Sequence, residues 1–335
     1  MQTPVDPRTG GPVATTRLTA ILIILSALMP ACGLFGRANP TMTNPVRRPE
    51  TSTMMIDRGA SPRRLLRYRL DVGESTTTEI RLSLHVTQRP DDGPTAQRAT
   101  SVAFSPPLTW YRVRLEVTRA SDDGYELGLR FVDAGIDPEG TTLTDRQIVE
   151  LTANIQALIG VSGTMGIDRR GSVNHLSLDR GTSRFDLTGH GIDTGELQEQ
   201  LHSAIPVLPS EPVGRGARWR TTGTTVVAGT RVRQSVTYEL ASIERDQVLY
   251  RAKIAQEAPE QPFGSAADGG TSTASRLVAA QISGTLTGRF TLTSLTAESE
   301  TRLSGSQLVD MPTNPPRRFR QELNLAVSSR ATGSS

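Results

Sequence analysis

YRVRLEVTRASDDGYELGLRFVD, Tyr111 to Asp133, is the stretch of the sequence that decides the fold class. In each of its two arms, apolar residues alternate with polar ones, which is the period-2 pattern of a β-strand with one buried face. The alternation is interrupted by Asp122, Asp123 and Gly124, residue types that favour turns. The stretch therefore predicts an antiparallel β-hairpin.

The same alternation appears upstream of the hairpin, in LLRYRLDV (65–72) and EIRLSLHV (79–86). Each run places four apolar residues on one side and predicts a strand. The two strands and the hairpin together would form a sheet with one apolar face, which must be covered by another layer.

One segment has helical periodicity instead. TDRQIVELTANIQALIG (144–160) offers Thr144 or Asp145 as an N-cap and ends at Gly160. Its apolar stripe predicts a helix near residues 145–159 that lies on the sheet: Ile148, Leu151, Ile155 and Leu158. A weaker helical pattern covers Glu196 to Ser203. The predicted fold class is mainly β (α+β), with curved antiparallel sheets in two similar halves, one clear helix and one weaker helix.

An internal repeat supports the division into halves. VSGTM at Val161 recurs as ISGTL at Ile282, 121 residues later. The hairpin before each motif alternates in the same way, with an offset of 123 residues. RYR at Arg67 and RWR at Arg218 offer a third match. We expect a first β-rich half at 63–208 and a second at 209–328, while the alternative that generic hairpins share these letters by chance stays open.

The longest apolar run lies near the N-terminus, in LTAILIILSALMPACGLFG (18–36). Arg8 and Arg17 precede it, which gives the order of a secretory signal peptide. The run from Leu18 to Ala31 is shorter than the roughly 20 apolar residues of a spanning helix. We therefore expect residues 1–31 to be a signal peptide.

The residues LMPAC, ending at Cys32, resemble the lipobox of bacterial lipoproteins. The resemblance implies that the Cys32 thiol receives a diacylglycerol, that cleavage occurs before it, and that lipid anchors the chain in the membrane. Met29 and Pro30 depart from the commonest pattern. An uncleaved anchor and an ordinary signal peptide with an incidental cysteine are the alternatives. The expected location is the bacterial cell envelope, in the outer membrane facing the periplasm or the cell surface, because Gly33 is not the aspartate of inner-membrane retention.

The segments that flank the halves lack apolar periodicity. Residues 32–62 mix proline, threonine, asparagine and arginine and are predicted to be a flexible tether. Residues 329–335 are predicted to be a disordered tail.

A second resemblance lies in AIPVLPSEPVGRGARWRTTG (204–223), followed by Tyr238 and Leu240. It is similar to the central Leu-Pro, Pro-Val, Gly and Trp segment of uncharacterised β-rich bacterial lipoprotein families. The combination of lipobox, curved sheet and covering helices is also similar to the LolA-like half-barrel lipoproteins that hold acyl chains. These resemblances imply architecture and not activity.

Composition narrows the chemistry. The formal net charge of +3 is too small for a nucleic-acid-binding profile, and a single cysteine excludes an internal disulfide. The usual catalytic and phosphate-binding motifs are absent. His190 has three carboxylates nearby that would support acid-base chemistry, and DAGIDPEG (133–140) lacks the full calcium-loop spacing. The remaining histidines are scattered: His85, His175 and His202.

The sequence therefore predicts no enzyme, no catalytic residues, no metal and no cofactor, and leaves the ligand-binding residues unknown. The expected function is that of a membrane-anchored envelope lipoprotein that binds an apolar ligand. The alternative is a structural or assembly lipoprotein that contacts an envelope protein. In both cases the membrane is a partner through the N-terminal lipid, and nucleic acid is not.

Overall fold

A computed structural model describes residues 52–91, 101–179, 205–227, 230–263, 275–311 and 317–334. These residues form one α-helix, α1 (Asp145–Gln156), and fourteen β-strands. The strands are β1 (Ser52–Asp57), β2 (Ser75–Pro90), β3 (Val102–Phe104), β4 (Leu108–Ala120), β5 (Gly124–Asp137), β6 (Ser162–Asp168), β7 (Val173–Asp179), β8 (Arg218–Val227), β9 (Thr230–Glu244), β10 (Gln247–Ala258), β11 (Gln261–Phe263), β12 (Ser275–Thr291), β13 (Ala297–Met311) and β14 (Arg317–Ser334).

All fourteen strands belong to one antiparallel sheet that is not closed. Its order is β1-β8-β9-β10-β12-β13-β14-β2-β4-β5-β6-β7, with β11 beside β12 and β3 beside β2. The fold is therefore mainly β with one helix, as the alternating sequence predicts. The second, weaker helix at Glu196 to Ser203 lies outside the described residues. In the part of the chain that the structure describes, no helix is both long and apolar enough to cross a membrane.

One face of the sheet carries the buried apolar side chains, and we call it the inner face. On β5, for example, Tyr125, Leu127, Leu129 and Phe131 are buried on this face. Buried residues from both ends of the strand order belong to a single hydrophobic cluster. The sheet must therefore curl so that its two halves share one core, because a flat sheet of this width would bring only neighbouring strands together.

The two halves have the same hairpin register. In β4–β5 a β-bulge leaves Thr118 without a register partner, and in β9–β10 a β-bulge leaves Ala241 without one. These positions are 123 residues apart, the same offset as the hairpin pattern in the sequence. A bulge is a specific local feature that re-aims a strand. Its occurrence at equivalent positions makes the two hairpins alike in detail as well as in type.

The close approach of a neighbouring strand explains why each SGT motif contains a glycine. Gly163 is paired with Leu178, and Gly284 with Leu303. A Cβ at either glycine would overlap the carbonyl oxygen of the residue just before that partner, Ser177 or Arg302. The neighbouring strand thus approaches too closely for any side chain. By strand register, however, the position equivalent to Gly163 lies 123 residues later and is a leucine. The glycine of the second motif, Gly284, therefore lies two residues before the equivalent position and on the same face of the sheet.

Helix α1 follows the predicted boundaries closely. Thr144 is its N-cap, and Gln147 completes a capping box by accepting from the Thr144 backbone N–H. Leu151 and Ile155 are buried against the core cluster, and α1 packs against β5. The helix thus covers the inner face of the first half.

Two predicted unstructured segments are wrong. Residues 52–57 of the predicted tether form β1, which pairs with β8 because Thr53 and Met55 alternate inward as a strand requires. Residues 329–334 of the predicted disordered tail complete β14, where Ser329 pairs with Ile80 on β2. Their small polar side chains carry no apolar signal, and the long partner strand supplies the backbone hydrogen bonds.

The predicted strand LLRYRLDV and the RYR–RWR match are also wrong. Leu66, Tyr68 and Leu70 are buried, as the alternation requires, but residues 65–72 are not a strand. Their backbone groups bond to hairpin turns instead of to a neighbouring strand. Trp219 lies on β8, so Tyr68 is not its equivalent.

Candidate ligand-binding site

One end of the curled sheet is closed by residues 64–70, the closing segment. The Tyr68 backbone N–H donates to Arg169 O, 2.9 Å away, in the β6–β7 turn. The next N–H, of Arg69, donates to Leu292 O at 2.7 Å in the β12–β13 turn. Tyr125 Oη donates to Tyr68 O at 2.8 Å. The segment therefore ties turns of both halves together and seals this end.

The sealed end is aromatic and dry. The Tyr68 and Phe290 rings lie 5.6 Å apart, and Tyr250 meets Phe290 edge-on at 5.6 Å. Burial raises the pKa of Tyr68 well above its ordinary value and also raises that of Tyr250. Both hydroxyls thus stay neutral at ordinary pH, so the tyrosines add no charge to this aromatic cluster.

Further along the strands of the second half, the inner face is only half-buried. The residues concerned lie side by side on β10, β12, β13 and β14, and we call them the inner strip: Ile254, Ile282, Gly284, Leu286, Leu303 and Val327. Ile254 pairs with Gly284, and Gly284 with Leu303. The strip is continuous with the closed end and offers an apolar surface with a glycine at its centre.

In the first half, two of the equivalent positions are buried. Phe131 and Val161 correspond to Ile254 and Gly284 by the 123-residue register, and they are 0% and 3% exposed. The chain that leaves α1 returns here, where Phe131 N donates to Val161 O at 2.9 Å. The difference between the halves is therefore the cover that α1 provides.

A row of amides borders the inner strip on the side away from the closed end. On β2, β14 and β13, Gln321 Nε2 donates to Gln88 Oε1 at 2.8 Å, and Gln307 Nε2 donates to Gln321 Oε1. On β10 and β9, Gln256 Nε2 donates to Gln234 Oε1 at 2.7 Å. We call these five side chains the glutamine belt. All lie on the inner face, and the buried Oε1 of Gln307 has no hydrogen-bond partner.

A hollow of about 590 Å³ lies on the opposite face of the same strands. Its side chains are exposed hydroxyls, amides and carboxylates, among them Ser283, Ser304 and Glu322. Ile282 and Leu323 also line it. Its open, largely polar surface fits an apolar ligand less well than the inner strip does.

Several residues singled out in the sequence lie outside the described residues. These are Cys32, the whole signal and lipobox region, His190 with its neighbouring carboxylates, and His202. The predicted lipidation and the acid-base hypothesis therefore stay predictions.

The described histidines lie apart and are bound to neighbours. His85 Nδ1 is 2.7 Å from Ser105 Oγ, and His175 Nε2 is 3.1 Å from Glu126 Oε1 at an exposed position. Asp133 of the DAGIDPEG segment pairs with Arg112 at 3.0 Å. Within the described ranges, no group of three His, Cys, Asp or Glu side chains could hold a metal ion.

The tryptophans take different places. Trp219 is a core anchor, stacked 5.2 Å from Tyr238, and its Nε1 donates to Val207 O at 2.9 Å. Trp110 is half-buried beside the guanidinium of Arg112, 5.2 Å from the ring centroid. Trp219 is thus part of the core, and Trp110 is not.

Sequence reasoning missed the glutamine belt. Its members are spread along more than 200 residues, and single glutamines in strands carry no motif. The available signal was their phase: Gln307 precedes Val309 by two residues and Gln321 precedes Leu323 by two, which places both amides on the buried side of their strands. No protein-family model matches this chain, and no curated protein matches it.

Proposed function

We propose that this protein is a membrane-anchored envelope lipoprotein whose β-rich body binds an apolar ligand along the inner strip. The observation that carries the proposal is the unequal cover of two like halves. Where α1 buries the inner face of the first half, the second half leaves Ile254, Leu286 and Leu303 half-buried. Covering such side chains with an apolar chain stabilises the complex by about 25 cal/mol per Å² of apolar surface removed from water.

The shape of the strip fits an extended chain better than a bulky ring system. Gly284 has no side chain, and the Leu303 side chain leans over it. The aromatic closed end bounds the strip on one side, and the amides bound it on the side away from that end. An apolar ligand therefore has one direction in which to lie. The lipid anchor of the protein, proposed on Cys32, would hold the β-rich body close to a membrane that contains acyl chains.

The test is to express the chain from Gly33 onward without lipid and to analyse what co-purifies by native mass spectrometry. A bound mass that disappears after extraction with organic solvent and matches a lipid is the expected result. A clean apo mass, together with no uptake of added monoacylglycerol, would contradict ligand binding. That outcome would favour the assembly lipoprotein, to be pursued by crosslinking in cells.

A further inference from the structure

We propose that the glutamine belt makes the inner strip selective for amphiphiles with an uncharged, hydrogen-bonding head group, such as a monoacylglycerol. The inference rests on the proposed function, because it assigns the ligand class of the same site. It follows from the charge of the inner face, the chemistry of the amides and their position beside the strip.

Beside the inner strip, the inner face holds no partner for a charged head group. By strand register, the inward-facing side chains described on β2, β9, β10, β12, β13 and β14 are apolar, hydroxyl, amide or glycine, except Arg317 at the start of β14, which is exposed and lies four residues before Gln321. The many arginines of these strands lie on the other face, as Arg302 does beside Leu303. A carboxylate or ammonium group placed on the inner face would lose its hydration without gaining a counter-charge, which is costly.

Amides are suited to a neutral head group because each side chain both donates and accepts. Gln256 and Gln234 are half-buried beside the strip, so their side chains remain partly accessible. Gln307 is 1% exposed, and its Oε1 accepts from no group of the described residues. A buried acceptor without a partner is costly, and a hydroxyl or N–H donor that reached it would recover this cost.

The direction of the free acceptor agrees with the strip. The Gln307 amide nitrogen is directed to Gln321 on β14, so the oxygen of the same planar group lies on the side of β12. There its register partner is Ala280, which has no polar side chain. The inner-face residue that follows Ala280 on β12 is Ile282, a member of the inner strip. The Gln307 oxygen that makes no hydrogen bond within the belt thus lies on the side where the strip begins.

Together these positions orient the ligand. The acyl chain lies along Ile282, Leu286 and Leu303 toward the closed end, and the head group contacts Gln256 and Gln307. Between Gln256 on β10 and Gln307 on β13, strand β12 contributes Ile282, the register partner of Gln256, and Ala280, the register partner of Gln307.

The experiment uses the full-length protein in lipid nanodiscs and a monoacylglycerol with a photoactivatable diazirine in its acyl chain. Labelling of the tryptic peptide Leu277–Arg289 is measured while unlabelled monooleoylglycerol or oleate competes, at pH 9 so that the carboxylate is ionised. We expect monooleoylglycerol to reduce labelling at about tenfold lower concentration than oleate.

Variants locate the selectivity. In the Gln234→Leu, Gln256→Leu double variant, donor and acceptor are removed together, which is nearly neutral for stability, and the tenfold preference should fall to about one. Gln281→Leu is the matched control, because Gln281 lies beside Ile282 on the exposed outer face; it should keep the preference.

Two negative results differ in meaning. If the strip peptide is labelled and oleate competes as well as monooleoylglycerol, or if the double variant keeps the preference, the belt has no role in selection and the proposed function stands. If the strip peptide is labelled no more than the nanodisc scaffold protein, the site itself is wrong and both proposals fall.

Discussion

The two halves of this protein share a hairpin register and differ in how their inner faces are covered. Near the turns they are alike: Leu127 and its equivalent Tyr250 are both buried, at 0% and 5% exposure. Two inward-facing positions further, Phe131 is fully buried under the chain that returns from α1, and its equivalent Ile254 is half-buried. The comparison teaches that the same strand framework is fully covered in one half and leaves a half-buried apolar surface in the other.

The largest expected effect separates a covered position from its bare equivalent. Phe131→Ala should lower the free energy of unfolding by about 3–5 kcal/mol, because it leaves a cavity beneath α1. Ile254→Ala should lower it by about 2 kcal/mol or less, since that side chain is already partly in water. Urea unfolding of both variants measures the difference. Equal losses would mean that the second half is packed as fully as the first.

The SGT glycines test where the halves are alike. Gly163→Ala and Gly284→Ala should each cost about 1–3 kcal/mol, because the added methyl overlaps a carbonyl of the neighbouring strand. Gly128→Ala is the control: it is a strand glycine whose added Cβ would meet only the flexible Thr118 methyl at 3.3 Å. Thermal unfolding compares the three, and tolerance of either motif variant would contradict the close approach of the neighbouring strand at that glycine.

The cover itself can be weakened at the capping box. Thr144→Ala removes the side chain that accepts from Gln147 N and should destabilise α1 by about 1 kcal/mol. Hydrogen exchange should then accelerate in residues 147–160 and leave β12 unchanged. Gln147→Glu keeps an acceptor for the Thr144 N–H and should behave like the parent protein. Unchanged exchange in Thr144→Ala would show that tertiary packing, and not the cap, holds the helix.

The smallest effect concerns ion pairs on the outer face of each half. Hydrogen bonds from Arg81 and Arg112 lower the pKa of Glu79, and one from Arg318 lowers the pKa of Asp310. A lowered folded-state pKa gives stability that is present above the unfolded value, about 4 for these groups, and is lost as pH falls through the folded value.

Removing either carboxylate should therefore reduce the loss of stability between pH 5 and pH 3, which is followed through the thermal midpoint. The change in the free energy of unfolding should be less than about 1 kcal/mol for such surface pairs. Glu79→Gln should have the greater effect, because its side chain is 12% exposed and that of Asp310 is 33% exposed. A larger acid shift in Asp310→Asn would reverse this order and contradict the ranking by burial.

Much of the fold could be predicted because strand alternation and helix capping are local signals. The hairpin at Tyr111 to Asp133, the helix from Asp145 and its cap Thr144 all follow from spacing within a few residues. Alternation also identified the buried side of residues 65–72, but it says only which side chains are dry. It does not say whether the backbone bonds to a strand or to turns, so the closing segment was mistaken for a strand.

The candidate site could not be predicted because it depends on long-range pairing. The inner strip joins strands from β10 to β14, and among the described residues no helix covers it as α1 covers the first half. The glutamine belt joins Gln88 to Gln307 through Gln321, residues that only the register of three strands brings together. β14 itself ends in small polar residues whose strand conformation comes from β2.

The most direct test of the account maps where an acyl chain contacts the protein. The full-length protein in nanodiscs is labelled with the photoactivatable monoacylglycerol, and the modified tryptic peptides are identified by mass spectrometry. The account predicts labelling of Leu277–Arg289 and Gln321–Arg330, which carry Ile282, Leu286 and Val327. It predicts none on Gln147–Arg169, which carries α1 and the covered face of the first half. Labelling that favours the α1 peptide, or that is equal in the two halves, would contradict the central claim.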